Sequence, residues 1–315
     1  MVPQHGEAPL PVRPVRASRD RHDRVVTLTG RRAPTPWREV LGLLPAAVRT
    51  QLRHQDLALH GAAVTFYAAI SAVPLVLLAG RLATEVVGRG RMEELAASLG
   101  DALPEALGAG DVAGALIRDA VQTSWWVALF VTLPASMYGE GLGRAYASLA
   151  GVEPRFVGWR SRLQVLPLLA VAPLLLLGVL AVTPLLADLF SEGLGGTALG
   201  VYVALNVDWI AVSVPLVWSF RVVSPDPPPW PVALVGGLAT GAFVSGFLQG
   251  FTLFLALPID LGAPFGGLTL VGSVTAVLLW MYLLHLVVLV GYVATRQAER
   301  LREGSDRRVG ADRRR

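Results

Sequence analysis

Residues 231–257 read PVALVGGLATGAFVSGFLQGFTLFLAL, a run of 27 residues without a charged side chain. A helix of about 20 apolar residues crosses the hydrocarbon core of a bilayer, which is about 30 Å thick. This run is therefore long enough to span a membrane. A surface helix of a water-soluble domain would instead need one polar face, which the run lacks.

Five further runs share this length and composition. The six predicted transmembrane helices cover 58–80, 124–146, 163–187, 197–219, 231–257 and 270–295. Of the 50 charged residues (27 basic plus 23 acidic), only Glu140, Arg144 and Asp208 fall inside these runs. Because an ionised group at mid-membrane costs at least about 2.5 kcal/mol, this segregation predicts an all-α, polytopic membrane helix bundle.

The composition excludes several functional classes. Only 16% of the 315 residues are charged, against about 25% in soluble domains. The chain has no cysteine, which removes disulfides, thiolate zinc sites, iron–sulfur clusters and cysteine nucleophiles. All 27 basic residues are arginine, so a P-loop lysine and Schiff-base chemistry are excluded as well.

The distribution of arginines predicts the orientation. Alternate inter-helix segments place 22 arginines on one side and 4 on the other. By the positive-inside rule, both termini are expected in the cytoplasm. No apolar h-region precedes the first run, so that run is expected to act as an uncleaved anchor.

The rest of the chain divides by composition. The predicted segments are a disordered basic tail at 1–36, an interfacial amphipathic helix at 37–57, a membrane domain at 58–295 with an outer helical cap at 81–123, and a basic cytoplasmic tail at 296–315. Pro45 is expected to bend or interrupt the interfacial helix. The cap is expected to contain one or two short helices, split near Pro104 and Gly108–Gly110.

Polar residues inside the predicted spans are the candidate substrate contacts. Asp208 lies midway along the fourth run, where a carboxylate normally faces a partner or a wet cavity. It is hypothesised to line a polar pathway and to take a proton or to pair with a cationic substrate group; alternatively, the span is shifted and Asp208 lies near an interface. The other pathway candidates are Asn206, Tyr67, Ser71, His285 and Gln249.

Two further patterns concern charge pairing and helix packing. Glu140 and Arg144 are four residues apart, which favours an intrahelical ion pair; the alternative is that Arg144 holds a lipid phosphate. Small residues at helical spacing allow close packing of neighbouring helices. They are Gly237, Gly241, Gly246 and Gly250.

The sequence does not favour an enzyme. The five histidines have no Asp or His partners at metal-ligand spacing, and G-x-S-x-G and nucleotide-binding motifs are absent. Neither a metal nor a cofactor is therefore expected, and a membrane nuclease has no visible site. The arginine-rich tails are interpreted as contacts for anionic lipid headgroups and not for nucleic acid. The sequence leaves open whether the protein forms a homo-oligomer.

Two runs and one loop resemble a known family. GAAVTFYAAISAVPLVLL at 61–78 and FGGLTLVGSVTAVLLWMYLLHLVVLVGY at 265–292, together with Arg221, Pro225 and Trp230 between them, resemble the YihY/virulence factor BrkB family of bacterial inner-membrane proteins. The resemblance covers roughly 38–300. Family members usually carry a Glu and an Asn after Gly291, where the corresponding stretch of this chain is Tyr292, Val293, Ala294 and Thr295.

The resemblance implies a multi-pass inner-membrane protein, with transport or lipid handling as proposed family roles and ribonuclease as an earlier label. The function predicted here is transport or binding of a lipid-like or amphipathic envelope substrate. The alternative is a non-transporting scaffold for envelope assembly. A transporter is expected to cluster Asp208, Tyr67, Ser71 and His285 around one cavity, whereas a scaffold would leave the bundle closed.

Overall fold

A computed structural model describes residues 37–102, 109–153, 158–168, 171, 194–255, 257 and 259–312. Every regular element in these residues is helical, which confirms the predicted all-α class. The long helices are α1 (Trp37–Leu52), α2 (Leu57–Val87), α3 (Arg89–Ala102), α4 (Ala109–Gln122), α5 (Trp125–Ala150), α6 (Leu194–Trp218), α7 (Trp230–Leu255) and α8 (Thr269–Asp312). A π-helical turn, Ser219–Val223, extends α6, and residues 158–168 are helical as well.

Four helices in the described residues have the length and apolar composition of a membrane span: Leu57–Val87, Ala198–Val223, Trp230–Phe251 and Thr269–Glu303. They coincide with the first, fourth, fifth and sixth predicted runs. The second predicted run is helical as α5 but is not one of the four, because Pro134, Glu140 and a pair of tryptophans lower its hydropathy. Most of the third run, 163–187, lies outside the described residues.

Large apolar side chains cover the outside of the bundle. Phe130, Phe243 and Leu270 are each more than 70% exposed. An exposed apolar surface of this kind would drive a water-soluble protein to aggregate, but it is the normal outer surface of a helix bundle in lipid. The fold is therefore that of an integral membrane protein.

The first span is longer than predicted. Helix α2 begins after Asp56, whose carboxylate accepts a hydrogen bond from the Leu59 backbone N–H at 3.1 Å. It ends at Gly88, whose φ of 87° is costly for other residues. The predicted end at residue 80 was too early, because Arg81 pairs with Glu85 on the same helix at 2.6 Å and the charges do not end it.

The cap segment contains two helices. Helices α3 and α4 pack against each other and against the last turns of α2. Their shared core consists of Ala83, Met92, Ala96, Ile117 and Val121. Pro104 and Gly108, where the split was predicted, fall at 103–108, outside the described residues.

One end of the bundle collects several helix ends. Gln51, in the last turn of α1, donates from Nε2 to the Leu149 carbonyl at 3.3 Å. The Gln297 Nε2 of α8 donates to the Gln51 Oε1 at 3.4 Å. Arg296 pairs with Asp226, which lies between the π-helical turn and α7. The end of α5, the 224–229 loop and the middle of α8 therefore lie on one side of the bundle, beside α1.

Two helix boundaries differ from the predictions. Pro45 lies inside α1, which continues past it to Leu52 without interruption. Helix α8 continues to Asp312, through most of the segment predicted as a tail. The pairing of Arg296 with Glu299, one turn further along, favours this continuation.

Close packing of α7 depends partly on the predicted glycines. A Cβ on Gly237 would lie 2.4 Å from Val217, and one on Gly241 would lie 2.1 Å from Ser213 Oγ. The missing side chains of these two glycines therefore allow α6 to pack closely against α7. Among the described residues, none comes within 4 Å of a Cβ built on Gly246, and the nearest contact of a Cβ on Gly250 is 3.9 Å away, so neither glycine brings a described helix close. The large ring of Trp280 separates α7 from α8 at that level, packing against Phe247, Phe251 and Phe254.

Candidate functional site

Asp208 and Gln249 form a polar pair between α6 and α7. The Gln249 Nε2 donates a hydrogen bond of 2.6 Å to the Asp208 carboxylate. Both side chains are partly buried, and Asp208 lies near the middle of the span Ala198–Val223. The structure thus joins two of the sequence-predicted candidates that are 41 residues apart.

Asn206 does not join this pair. Its amide Nδ2 donates to the backbone carbonyl of Tyr202, one turn earlier on α6, at 2.8 Å. The Asn206 amide therefore has its hydrogen-bond partner on its own helix, although Asn206 lies only two residues from Asp208.

Tyr67 and Ser71 hold α2 against α5. Ser71 is fully buried, and its Oγ lies 2.7 Å from the carbonyl of Tyr67 and 2.9 Å from that of Pro134. The ring of Tyr67 packs on Gly141, where any Cβ would approach it to 2.7 Å. Both residues therefore contribute to the packing of α2 against α5.

His285 connects α8 to α2. Its Nδ1 lies 3.1 Å from the Thr65 hydroxyl, and its ring packs at 5.8 Å from that of Tyr138. Because Asp208 is bonded between α6 and α7, the hydrogen bonds separate the candidates into two sets. Asp208, Tyr67, Ser71 and His285 line neither of the two cavities that the described residues form near α1.

Glu140 is the centre of an ion cluster. Arg144 reaches its Oε1 at 2.7 Å, as the spacing of four residues predicts, and Arg162 pairs with Oε2. The Glu140 side chain is 10% exposed, whereas that of Arg144 is 54% exposed. A Cβ on Gly158 would lie 3.0 Å from Oε1, so the first turn of the helical stretch 158–168 closes over the carboxylate. The second arginine was missed, because Arg162 is distant in sequence.

The largest described cavity is a groove between α1, α7 and α8. Its volume is about 740 Å³, and it is open along one side. Its walls are almost entirely apolar and include Leu41, Leu44, Val235, Ala239, Phe243, Leu286, Val290 and Ala294. We call this cavity the apolar groove.

A second recess adjoins the apolar groove across α1. It has a volume of about 590 Å³ and shares Leu44 and Ala294 with the groove. Arg49, in the last turn of α1, and Arg53, directly after the end of α1, line it. We call this recess the arginine recess. The sequence predicted an amphipathic helix here but gave no sign that α1 would cover a gap between α7 and α8.

A buried aromatic cluster closes the bundle near the arginine-rich end. Tyr146 and Tyr292 stack with ring centroids 4.1 Å apart, and Phe220 of the π-helical turn packs against both. The Tyr292 hydroxyl lies 2.8 Å from Ser224 Oγ. Tyr292 therefore both stacks in the aromatic cluster and has a hydroxyl partner in the loop before α7.

Within the described residues, no group of three or more acidic or histidine side chains is placed to hold a metal ion. The chemistry available is therefore that of an apolar groove, flanking arginines and isolated polar pairs inside the bundle. These features define an integral membrane protein of helical-bundle type.

The comparison with protein families agrees with this class. The model of the family described as Virulence factor BrkB matches residues 48–315. The chain belongs to this family, which confirms the resemblance seen in its first and last runs. Neither the curated proteins nor the solved structures gave a match.

Proposed function

We propose that the protein binds a lipid-like anionic amphiphile, with the apolar tail in the apolar groove and the headgroup at the arginine recess, as a step in moving it within the envelope. The observation that carries the proposal is the continuity between these two cavities through Leu44 and Ala294. An amphiphile needs an apolar site and a charged site in direct contact, and the pair provides both.

The length of the apolar groove supports an acyl tail. The groove follows α7 from Val232 to Phe243, a distance of about 16 Å at ~1.5 Å per residue. One leaflet of the hydrocarbon core is about 15 Å deep. A lipid tail in the same leaflet therefore has about the length of the groove.

The openness of the groove supports entry from the bilayer. Leu41, Val235 and Phe243 line it and are 52% or more exposed, so its mouth faces the surroundings of the bundle. A tail can therefore enter sideways without leaving the hydrocarbon.

The arginines favour an anionic headgroup. Guanidinium groups bind phosphate through paired N–H donors. Arg49 lies in the last turn of α1 and Arg53 directly follows it, and the exposed charged face of α1 suits the membrane interface. None of the described residues that line the two cavities is acidic, so an anionic headgroup meets no negative charge among them.

The proposal includes six spans in the bacterial cytoplasmic membrane with both termini in the cytoplasm. It is supported by the clustering of helix ends near Arg296 and by the excess of arginines on that side. The apolar groove then opens to the inner leaflet. No covalent step is proposed, so the protein acts as a binding or transport protein and not as an enzyme.

The test is photocrosslinking of the purified protein in vesicles containing an anionic phospholipid with a photoreactive tail. Ala239→Trp fills the groove and is expected to reduce crosslinking at least severalfold, whereas Ala242→Trp, on the same helix but outside the groove, leaves it unchanged.

The double variant Arg49→Ala, Arg53→Ala is expected to abolish the preference for an anionic over a zwitterionic lipid, with Arg38→Ala as its control. Equal crosslinking in all four variants would contradict the proposal.

A scaffold function is the second candidate, and one observation favours it. The cap of α3 and α4 has a hydrophobic core of its own and therefore forms a shaped surface outside the spans. Deleting this cap would abolish envelope assembly if the protein is a scaffold, while the groove variants would then have no effect on growth.

A further inference from the structure

The Asp208–Gln249 pair lies away from the apolar groove and has an unusual charge environment. Asp208 is half-buried in α6 near the middle of a span, and among the described residues its side chain is hydrogen-bonded to the neutral amide of Gln249 at 2.6 Å. A carboxylate at such depth normally faces a partner group or a wet cavity. Here the described partner is an uncharged amide.

The elements around the pair offer no cation. Helix α7, against which α6 packs, has no ionisable side chain in its whole length, and Tyr202 is the other ionisable residue of α6. The chain has no arginine between Arg162 and Arg221, and none between Arg221 and Arg296. Neither lysine nor a free thiol occurs in the sequence.

Distance along α6 separates the nearest arginines from Asp208. Arg221 is 13 residues further along, which is about 20 Å of helix. Arg160 and Arg162 belong to the helical stretch that meets Trp218, whose Nε1 donates to the Gln164 carbonyl at 2.9 Å. Trp218 is ten residues from Asp208, or about 15 Å. His285 is bonded to Thr65 on α2.

An amide suits a carboxyl group that changes its protonation state. When Asp208 is ionised, the Gln249 N–H donates to it, as the structure has it. When Asp208 is protonated, its O–H can donate to the Gln249 carbonyl oxygen while the amide N–H still donates to the other carboxyl oxygen. In either state the carboxyl group and the amide remain hydrogen-bonded to each other, whereas a buried carboxyl group without a partner would cost about 1–3 kcal/mol. An arginine partner would satisfy the ionised state alone.

We infer that Asp208 and Gln249 form a proton-binding site inside the membrane. A proton from a hydronium ion adds to one carboxylate oxygen of Asp208 and forms the O–H bond, leaving a water molecule and a neutral carboxyl group; the reverse step returns the proton. The site binds one proton. Proton binding here does not depend on lipid binding at the apolar groove.

The test is infrared spectroscopy of the full chain in lipid vesicles as the pH is varied. Exposed aspartates are ionised at about pH 6, so the carbonyl band of a protonated carboxyl at that pH reports a protected site. We expect such a band in the native protein, its loss in Asp208→Asn, and its shift to higher frequency in Gln249→Leu, where the hydrogen bonds are missing. Identical spectra for the native protein and Asp208→Asn at every pH would overturn the inference.

A second measurement needs no variant and so avoids any folding defect. A lipid-soluble carbodiimide reacts with protonated carboxyl groups in apolar surroundings, and peptide mass spectrometry locates the adduct. Asp208 is expected to be modified at about pH 6 and protected at about pH 9, well above the range of ordinary carboxyl groups. Absence of the adduct at both values would overturn the inference, whatever the outcome of the lipid crosslinking.

Discussion

Thr295 of α8 rests directly on Gly236 of α7, so that a Cβ at Gly236 would lie 2.1 Å from the Thr295 hydroxyl oxygen. The reverse contact is equally close: Thr240 lies 2.2 Å from the Cβ position of Gly291. Each threonine hydroxyl donates to the carbonyl of the glycine one turn earlier on its own helix, at 2.7 Å. The two helices interlock through this pair, which also forms part of the wall of the apolar groove.

The interlock predicts a sharp response to a single methyl group. Gly236→Ala is expected to lower the free energy of unfolding by about 1–3 kcal/mol, because Thr295 is held by its own hydrogen bond and cannot easily move. Thermal unfolding in detergent measures the change. Gly246→Ala is the control: no described residue lies within 4 Å of its Cβ position, and because alanine has the better helix propensity the substitution is expected to be neutral or slightly stabilising. Equal effects of the two substitutions would contradict the packing described.

The ion cluster around Glu140 predicts that substitutions of its three members reduce stability by different amounts. Glu140→Gln leaves Arg144 and Arg162 facing each other without a counter-charge, and breaking a buried pair by removing one partner costs about 3–5 kcal/mol. Arg144→Ala is expected to cost about 1 kcal/mol or less, because that side chain is 54% exposed and solvent screens it. Resistance to proteolysis in detergent gives the ranking, with Arg162→Ala expected between the two. A larger loss for Arg144→Ala would show that Glu140 is not the centre of the cluster.

Sequence reasoning predicted features that depend on one helix or on composition. The membrane class, the helices and the pairing of Glu140 with Arg144 follow from charge segregation and a spacing of four residues. These are local patterns, and the bilayer imposes them wherever a helix crosses it.

The glycine prediction succeeded only in part because a pattern of every fourth residue selects a single helix face. Helix α7 has two close neighbours. Gly237 meets α6 at Val217, whereas the adjacent Gly236 meets α8 at Thr295. Successive residues are about 100° apart around a helix, so a glycine doublet can face both neighbours. The sequence contains the doublet but does not say how many helices approach it.

The candidate sites depended on tertiary placement, and the sequence gave less guidance there. Asp208 and Gln249 were both selected as polar residues in apolar runs, but their contact spans 41 residues. The apolar groove was missed, because Leu41 and Leu44 of α1 cover residues nearly 200 positions later in the chain. An amphipathic pattern predicts that a helix has an apolar face, but it does not predict the surface against which that face packs.

The aromatic cluster gives a third prediction. Tyr292→Phe removes the hydroxyl that bonds Ser224 at 2.8 Å while leaving the stack on Tyr146 intact, so a loss of about 1 kcal/mol is expected. Tyr292→Ala removes the ring and is expected to cost about 3–5 kcal/mol. Tyr202→Phe is the control, since that side chain is 65% exposed. Differential scanning calorimetry in detergent separates the three, and a Tyr202→Phe effect as large as that of Tyr292→Phe would contradict the assignment.

The absence of cysteine makes the proposed orientation directly testable by single-cysteine labelling. Three exposed positions serve: Glu94 in the cap, Pro227 between α6 and α7, and Ile259 between α7 and α8. With six spans and cytoplasmic termini, a membrane-impermeant maleimide added to intact cells is expected to label Glu94→Cys and Ile259→Cys, because both lie on the arginine-poor side. Pro227→Cys, near Asp226 and its partner Arg296, is expected to react only after the cells are lysed. Labelling of Pro227→Cys in intact cells would invert the orientation, and labelling of Glu94→Cys and Ile259→Cys on opposite sides would show that the number of spans between them is not even.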